Sequence, residues 1–516
     1  MSLLFILLAL SPLLLILVLL LWRRMAADLA GALGLALTVL VALACFHTAP
    51  EVVGRSLLAG VVGSLPVGLV LTASIFQITV MAEMGALARV ASLMKTLTPG
   101  QKAVQVLLIN VGFGILLTGL GAATMAILPP LLLTLGYSVP AAILLSALGY
   151  VALCIYALLG IPAVVLATFA GQGLMETGMA LAAFMPAIST CVAFACLHVT
   201  GGFALMRKGF WPALITGLVS GLLAMLLARM GLLTLTAILA GLGIMAALLL
   251  YVKCVGGTLR DPSLRNAADL QAEQHLSLAR ACSPWILLIA VSLIMNSPAL
   301  PFFDLTFRQW SMPLDIIPGA PERLRIFWQA YFWVLVCTLV CLPLLKPSRA
   351  KFSAACKKSL ARAWRPFLAT AIYFAIAYVM NQSGKQADWT LLQPQDNMIL
   401  LLAHSAAQCF GAAYPAAAPY LGLMAGFVSG SASSAVAMLT KLQLAAADSI
   451  HASGLTLAAA GGVGAGLASA MSPSKLLSAG ASIDNPAAAN GVIGYAFVLT
   501  LIITAVCAVL TQCWAL

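Results

Sequence analysis

The stretch Gly422–Asp484 reads GLMAGFVSGSASSAVAMLTKLQLAAADSIHASGLTLAAAGGVGAGLASAMSPSKLLSAGASID, and its reading decides the fold. It is apolar enough for a bilayer interior, yet Gly and Ser stand where a plain spanning helix carries Leu. Ser429, Gly430, Ser431, Ser433 and Ser434 crowd one short run, and Ser472, Pro473 and Ser474 make a second break. Such a pattern predicts interrupted helices whose free backbone ends and hydroxyls face a ligand rather than lipid.

Outward from that stretch the chain keeps the same character. Of 516 residues, 63% are hydrophobic and 8% are charged, and apolar runs long enough to span a bilayer recur along its length. The runs are continuous rather than alternating, which excludes a membrane β-barrel. The expected class is an all-α polytopic membrane protein with about 12–14 transmembrane segments. It is expected in the cell membrane of a bacterium, the inner membrane. The formal net charge of +12 is read as basic cytoplasmic loops that set orientation, not as a nucleic-acid surface. The 12 cysteines include no CxxC pair, and Cys154, Cys191 and Cys507 fall within apolar runs. They read as small buried hydrophobes, and no metal or other cofactor is expected.

Met1–Leu21 is apolar, with no positive charge before it and Trp22, Arg23 and Arg24 after it. That order predicts a retained first helix with its N-terminus outside. Pro66 in the apolar run Ser56–Leu87 predicts a kink or a split. Lys253–Arg280 is the longest polar stretch and reads as a cytoplasmic connection. It divides the chain into a membrane half 1–252, a connecting loop 253–282 and a second membrane half 283–516. The segment Lys346–Arg365 holds seven Lys and Arg and no acid, which again places it in the cytoplasm.

The two halves echo each other. Pro66–Gly85 leads to a break at Thr118–Thr124 and then to Gly160-Ile161-Pro162. Pro366–Gly384 leads to Ser429–Ser434 and then to Met471-Ser472-Pro473. Paired interruptions in two inverted-repeat halves point to a binding site near the bilayer midplane, built from interrupted helices or re-entrant hairpins. Close packing of glycine-rich helices gives a plainer origin for such breaks.

A carboxylate leaving water needs replacement donors, which helix N-termini and hydroxyls supply. The candidate substrate-binding residues are therefore Thr118, Gly119, Gly121, Thr124, Ser429, Gly430, Ser431, Ser433, Ser434, Ser472 and Lys475. Each hydroxyl has the alternative of bonding back to its own helix, and Lys475 that of snorkelling. Glu83, Glu176 and His404, ionisable groups in or beside apolar segments, are the ion-coupling candidates. No HExxH, Walker loop or GxSxG signature occurs, which argues against an enzyme and against a nucleotide-driven pump.

Taken together, several short motifs resemble the lactate permease family of secondary transporters. They are Ser74-Ile75-Phe76-Gln77-Ile78-Thr79-Val80, Phe113-Gly114 with Gly119, Gly160-Ile161-Pro162, Asn381-Gln382-Ser383-Gly384, Ser429-Gly430-Ser431 with Ser434, Gly461-Gly462-Val463, and Met471-Ser472-Pro473. The resemblance implies symport of lactate, glycolate or a related small monocarboxylate with a proton, by alternating access; sodium is the other coupling ion considered. It also implies inverted repeats in a bilayer-embedded fold, and leaves a homo-oligomer open.

The chain departs from the pattern at four places. Thr118 and Ala432 stand where the family carries acids, Val436 where it carries Asn, and a family Lys falls near Ser469. Lys475 is the candidate replacement for that cation. The competing readings are a transporter of another organic anion, an inorganic-cation exchanger on a related fold, or a non-transporting membrane subunit.

Overall fold

The structure is a computed structural model and describes residues 3–21, 23, 25–121, 124–296, 300–346 and 348–516. Trp22 and Arg24, which mark the end of the first helix in the sequence, lie outside the described residues, as do residues 122 and 123 of the first break and Pro347 of the basic segment. Among the described residues, nine helices are long and apolar enough to cross a membrane, and four shorter apolar helices accompany them. The chain is an all-α polytopic membrane protein.

Two helices of 34 residues each, Pro50–Glu83 and Arg349–Gln382, form the scaffold. At 1.5 Å per residue each is about 50 Å long, well beyond a hydrocarbon core of about 30 Å. Their close approach is set by glycine. A Cβ on Gly60 would lie 2.5 Å from the Ala375 backbone, and one on Gly68 would lie 2.7 Å from the Phe367 ring. Small residues let membrane helices gain dispersion contacts where no hydrophobic drive separates helix from lipid. The antiparallel pair is tied at both ends. Lys358 Nζ lies 2.6 Å from Glu83 Oε1 at one end. At the other, Gly384 N–H donates to Thr48 Oγ1 at 2.9 Å. Pro66 does not split its helix, which runs through it unbroken.

After each of these two helices the chain runs through a similar order of elements. In the first half, Lys102–Gly119 and Thr124–Thr134 make a helical hairpin with a π-helical turn at Leu107–Phe113. The broken span Val139–Ala170 and the long helix Leu174–Lys208 follow. In the second half, Tyr414–Ser429 and Ala432–Ile450 make the hairpin. The broken span Gly454–Ala481 and the helix Pro486–Ala515 come after it.

Three further features among the described residues have local causes. The basic segment is helical: Ser348 caps the Arg349–Gln382 helix by accepting from Lys351 N–H, and Pro366 lies inside that helix without ending it. The connecting loop contains the helix Ala267–His275, docked on Ala86–Thr96 through Lys95–Asp269 at 2.8 Å and Arg89–Glu273 at 3.2 Å. The loop after residue 300 contains a β-hairpin, Met312–Ile317 with Ala320–Leu324, closed at Pro318 and Gly319, where Gly319 takes φ +74°.

Candidate functional site

The second break is built by its own residues. Gly430 takes φ +66°, a left-handed conformation that ends the Tyr414–Ser429 helix without strain. Ser431 then caps the next helix, its Oγ accepting from Ser434 N–H at 3.4 Å. Ser429 Oγ donates back to the Ala425 carbonyl at 2.8 Å. Ser433 and Ser434 are buried, and Ser434 Oγ has no hydrogen-bond partner among the described residues. A buried orphan hydroxyl is uncommon enough to need a reason.

The first break has a parallel arrangement. Gly121 takes φ +81°, and a Cβ there would lie 2.2 Å from Ser74 Oγ. Ser74 Oγ is itself a buried hydroxyl without a partner among the described residues. Thr118 Oγ1 donates to the Gly114 carbonyl at 2.9 Å, Gly119 packs on Ala237 and Ile238, and Thr124 is buried.

The two broken spans cross between these tips. A Cβ on Gly466 would lie 3.3 Å from Ile155 N, and one on Gly462 would lie 3.2 Å from Ile155 Cδ1. The Val139–Ala170 span unwinds here. Its turn Gly149–Tyr156 is 3-10, and Leu158, Leu159 and Gly160 adopt φ of 54°, 54° and 73°. Two leucines in the left-handed region cost about 1–3 kcal/mol each, a strain that concentrates at working sites. The partner span unwinds through the 3-10 turn Ala468–Ala470 and restarts at Pro473 after an extended Ser472.

At the crossing Lys475 Nζ donates to Ser469 Oγ at 2.7 Å and stands 5.9 Å from the Tyr150 ring centroid. Ser469 Oγ also lies 3.5 Å from Cys154 Sγ. Tyr150, Cys154 and Ser469 are each 4% exposed, while Lys475 is half-buried. No carboxylate lies within ion-pair distance of Lys475 among the described residues. A cation in an apolar interior without a counter-charge is a ready partner for an anion.

Both tips connect to this point. A Cβ on Gly426, one turn before the second tip, would lie 2.8 Å from Ala468 Cβ. Gly114, one turn before the first, stands over the Tyr150 Cβ. Of the sequence candidates, Ser472 and Lys475 therefore belong to the crossing, and the Thr118–Thr124 and Ser429–Ser434 tips adjoin it.

The ion-coupling candidates lie elsewhere. Glu83 is held by Lys358, and Glu176 accepts from Gly173 N–H at 3.2 Å on an exposed helix start. His404 is exposed, with Nε2 2.9 Å from the Gln408 amide nitrogen. Tyr150 escapes the sequence reading, which takes Cys154 only as a small buried hydrophobe and Ser469 only as the place of a missing cation, because nothing in an apolar run marks which residue will face a crossing.

Nearly the whole chain matches one known family in sequence. The family model described as L-lactate permease matches residues 5–515. An L-lactate permease of Streptococcus iniae is 24% identical over 457 residues, covering 86% of this chain and 91% of the relative. An L-lactate permease of Escherichia coli (strain K12) is 23% identical, over 87% of this chain and 84% of its own length. A glycolate permease of the same organism is 23% identical over 531 residues, covering 95% and 90%. These relatives are named permeases, transporters rather than enzymes, and the match runs through both helical hairpins and both broken spans. The chain belongs to the L-lactate permease family.

Proposed function

We propose that this protein moves a small monocarboxylate, of the L-lactate and glycolate class, by ion-coupled symport through alternating access. One observation carries the reading: the ammonium of Lys475 stands at the crossing of two broken helices with no acid within ion-pair distance among the described residues. An anion of a few heavy atoms there would meet Lys475, the Ser469 hydroxyl and the helix N-terminus that begins at Pro473. The family cation expected near Ser469 would thus be supplied from six residues further on.

An inverted repeat is supported by the order of elements and by the scaffold. The first tip abuts Ser74 of one 34-residue helix, while the second abuts the other, Tyr373 Oη donating to the Val428 carbonyl at 3.4 Å. With the basic segments Lys253–Arg280 and Lys346–Arg365 inside, the β-hairpin and the N-terminus are outside. The coupling ion is a proton or sodium.

The test is counterflow in proteoliposomes with labelled L-lactate, glycolate and a dicarboxylate. Exchange of the two monocarboxylates, weakened by Lys475→Met, is expected. Absence of exchange with either monocarboxylate overturns the reading.

A further inference from the structure

A second anion-attracting space lies on the β-hairpin side, apart from the crossing. It is a cavity of about 400 Å³ bounded by both scaffold helices, the β-hairpin and the outer part of the Val139–Ala170 span. Its wall runs from the β-hairpin down to Leu159 and Ile161 at the unwound turn. Neither the serines of the two tips nor Lys475 lines it.

The charges are unequal. Arg323, Arg325 and Lys441 line the cavity against one acid, Glu322. The Glu322 carboxylate accepts a hydrogen bond from Tyr378 Oη rather than pairing with a cation. Arg325 is fixed from behind: its Nε donates to the Phe307 carbonyl at 3.0 Å and its guanidinium stacks 4.0 Å from the Phe307 ring centroid. Neither Arg325 nor Lys441 has an ion-pair partner among the described residues. A guanidinium stacked on one face and held at Nε keeps its two terminal nitrogens for a planar carboxylate.

Further polar atoms in the lining lack partners. Thr234 Oγ1, Trp328 Nε1, Asn381 Oδ1 and Gln382 Oε1 are buried without a hydrogen bond among the described residues. Four such atoms around one space mark it as the place of a polar ligand or of ordered water. Much of the remaining wall is apolar, including Val62, Val67, Val165, Phe169, Phe374 and Trp333, beside Thr168, Ser292 and Gln329. The cavity is far larger than a three-carbon acid needs, and its valines and aromatic rings leave a surface along which an apolar chain of several carbons can lie.

We propose that this outer cavity is a second carboxylate-binding site, which takes a monocarboxylate with an apolar body of several carbons between Arg325 and Lys441. Its head group lies on the two cations, within reach of the Trp328 indole N–H and the Thr234 hydroxyl. Its chain lies along the valines and aromatic rings. The proposal takes the transport reading as its setting but rests on binding alone, so transport can fail while this site stands.

The experiment uses the purified full-length chain in lipid nanodiscs with hexanoate as the probe. Binding is read by calorimetry and by the fluorescence of the tryptophans, two of which, Trp328 and Trp333, line the cavity. Hexanoate is expected to bind saturably and more tightly than L-lactate. Lys441→Gln and Arg325→Gln should each weaken it roughly ten- to a hundred-fold, the loss of one charge-assisted hydrogen bond. Lys475→Met should leave it unchanged. Lys441 is exposed, so its substitution does not threaten folding. Absence of saturable hexanoate binding overturns the proposal. So does binding indifferent to Lys441→Gln, binding lost in Lys475→Met, or preference for L-lactate.

Discussion

Lys475 reaches back to Ser469, its Nζ 2.7 Å from the serine hydroxyl, across the break that separates them. The cation of the crossing is thus carried by the helix that follows the break, and its head lies beside the turn that precedes it. A long flexible side chain makes such relocation possible, because the position of charge depends on the ammonium and not on the backbone that bears it.

Removing that cation should weaken monocarboxylate affinity. Lys475→Met is expected to lower it roughly ten- to a hundred-fold, as loss of a hydrogen bond to a charged group does. The double variant Ser469→Lys/Lys475→Ser should recover part of the uptake, because it returns an ammonium to the same space. Proteoliposome uptake measures both, and a double variant no better than Lys475→Met counts against a charge role.

The serines of the second tip should separate by role. Ser431→Ala removes a helix cap and should cost about 1 kcal/mol of stability. Ser434→Ala removes a buried hydroxyl that has no partner among the described residues, so stability should hold or rise slightly while substrate affinity falls. Thermal unfolding and uptake, measured side by side, distinguish the two effects.

Glu322 gives the outer cavity a pH dependence. Burial raises its carboxyl above the usual range, against the opposing hydrogen bond from Tyr378. The folded state therefore favours the protonated form, and this group destabilises the fold increasingly as pH rises from its ordinary value through the raised one. As pH passes through that raised value the cavity gains a negative charge facing Arg323, Arg325 and Lys441, so hexanoate binding should weaken as pH rises. Glu322→Gln should hold binding at its low-pH level. Titrations at several pH values test this, and an unchanged pH profile in Glu322→Gln rules out the assignment.

The connecting loop should come free when its clamp is cut. The Lys95 and Asp269 side chains are 12% and 7% exposed, so removing one partner leaves a largely buried charge. Lys95→Ala is expected to cost about 3–5 kcal/mol locally, on the scale of a broken buried pair. Limited proteolysis within 253–282 should accelerate, while Lys358→Ala, at a more exposed pair, should leave that loop protected.

Composition and the spacing of apolar runs determined the class of this protein. A chain with so little charge and so many long apolar runs belongs in lipid, where backbone polarity permits only helices or a closed barrel, and the continuous runs select helices. Gly430, Ser431 and Pro473 also made the breaks legible, because left-handed backbone, helix caps and first-turn prolines are local preferences. Tertiary structure decided which residues meet there. Ser469 and Cys154 are 315 positions apart, and no local rule pairs them. Arg325 and Lys441 join one cavity only because a β-hairpin folds over the end of the Arg349–Gln382 helix. Local sequence sets conformation residue by residue, whereas the electrostatics of a site depend on distances between segments that only packing fixes.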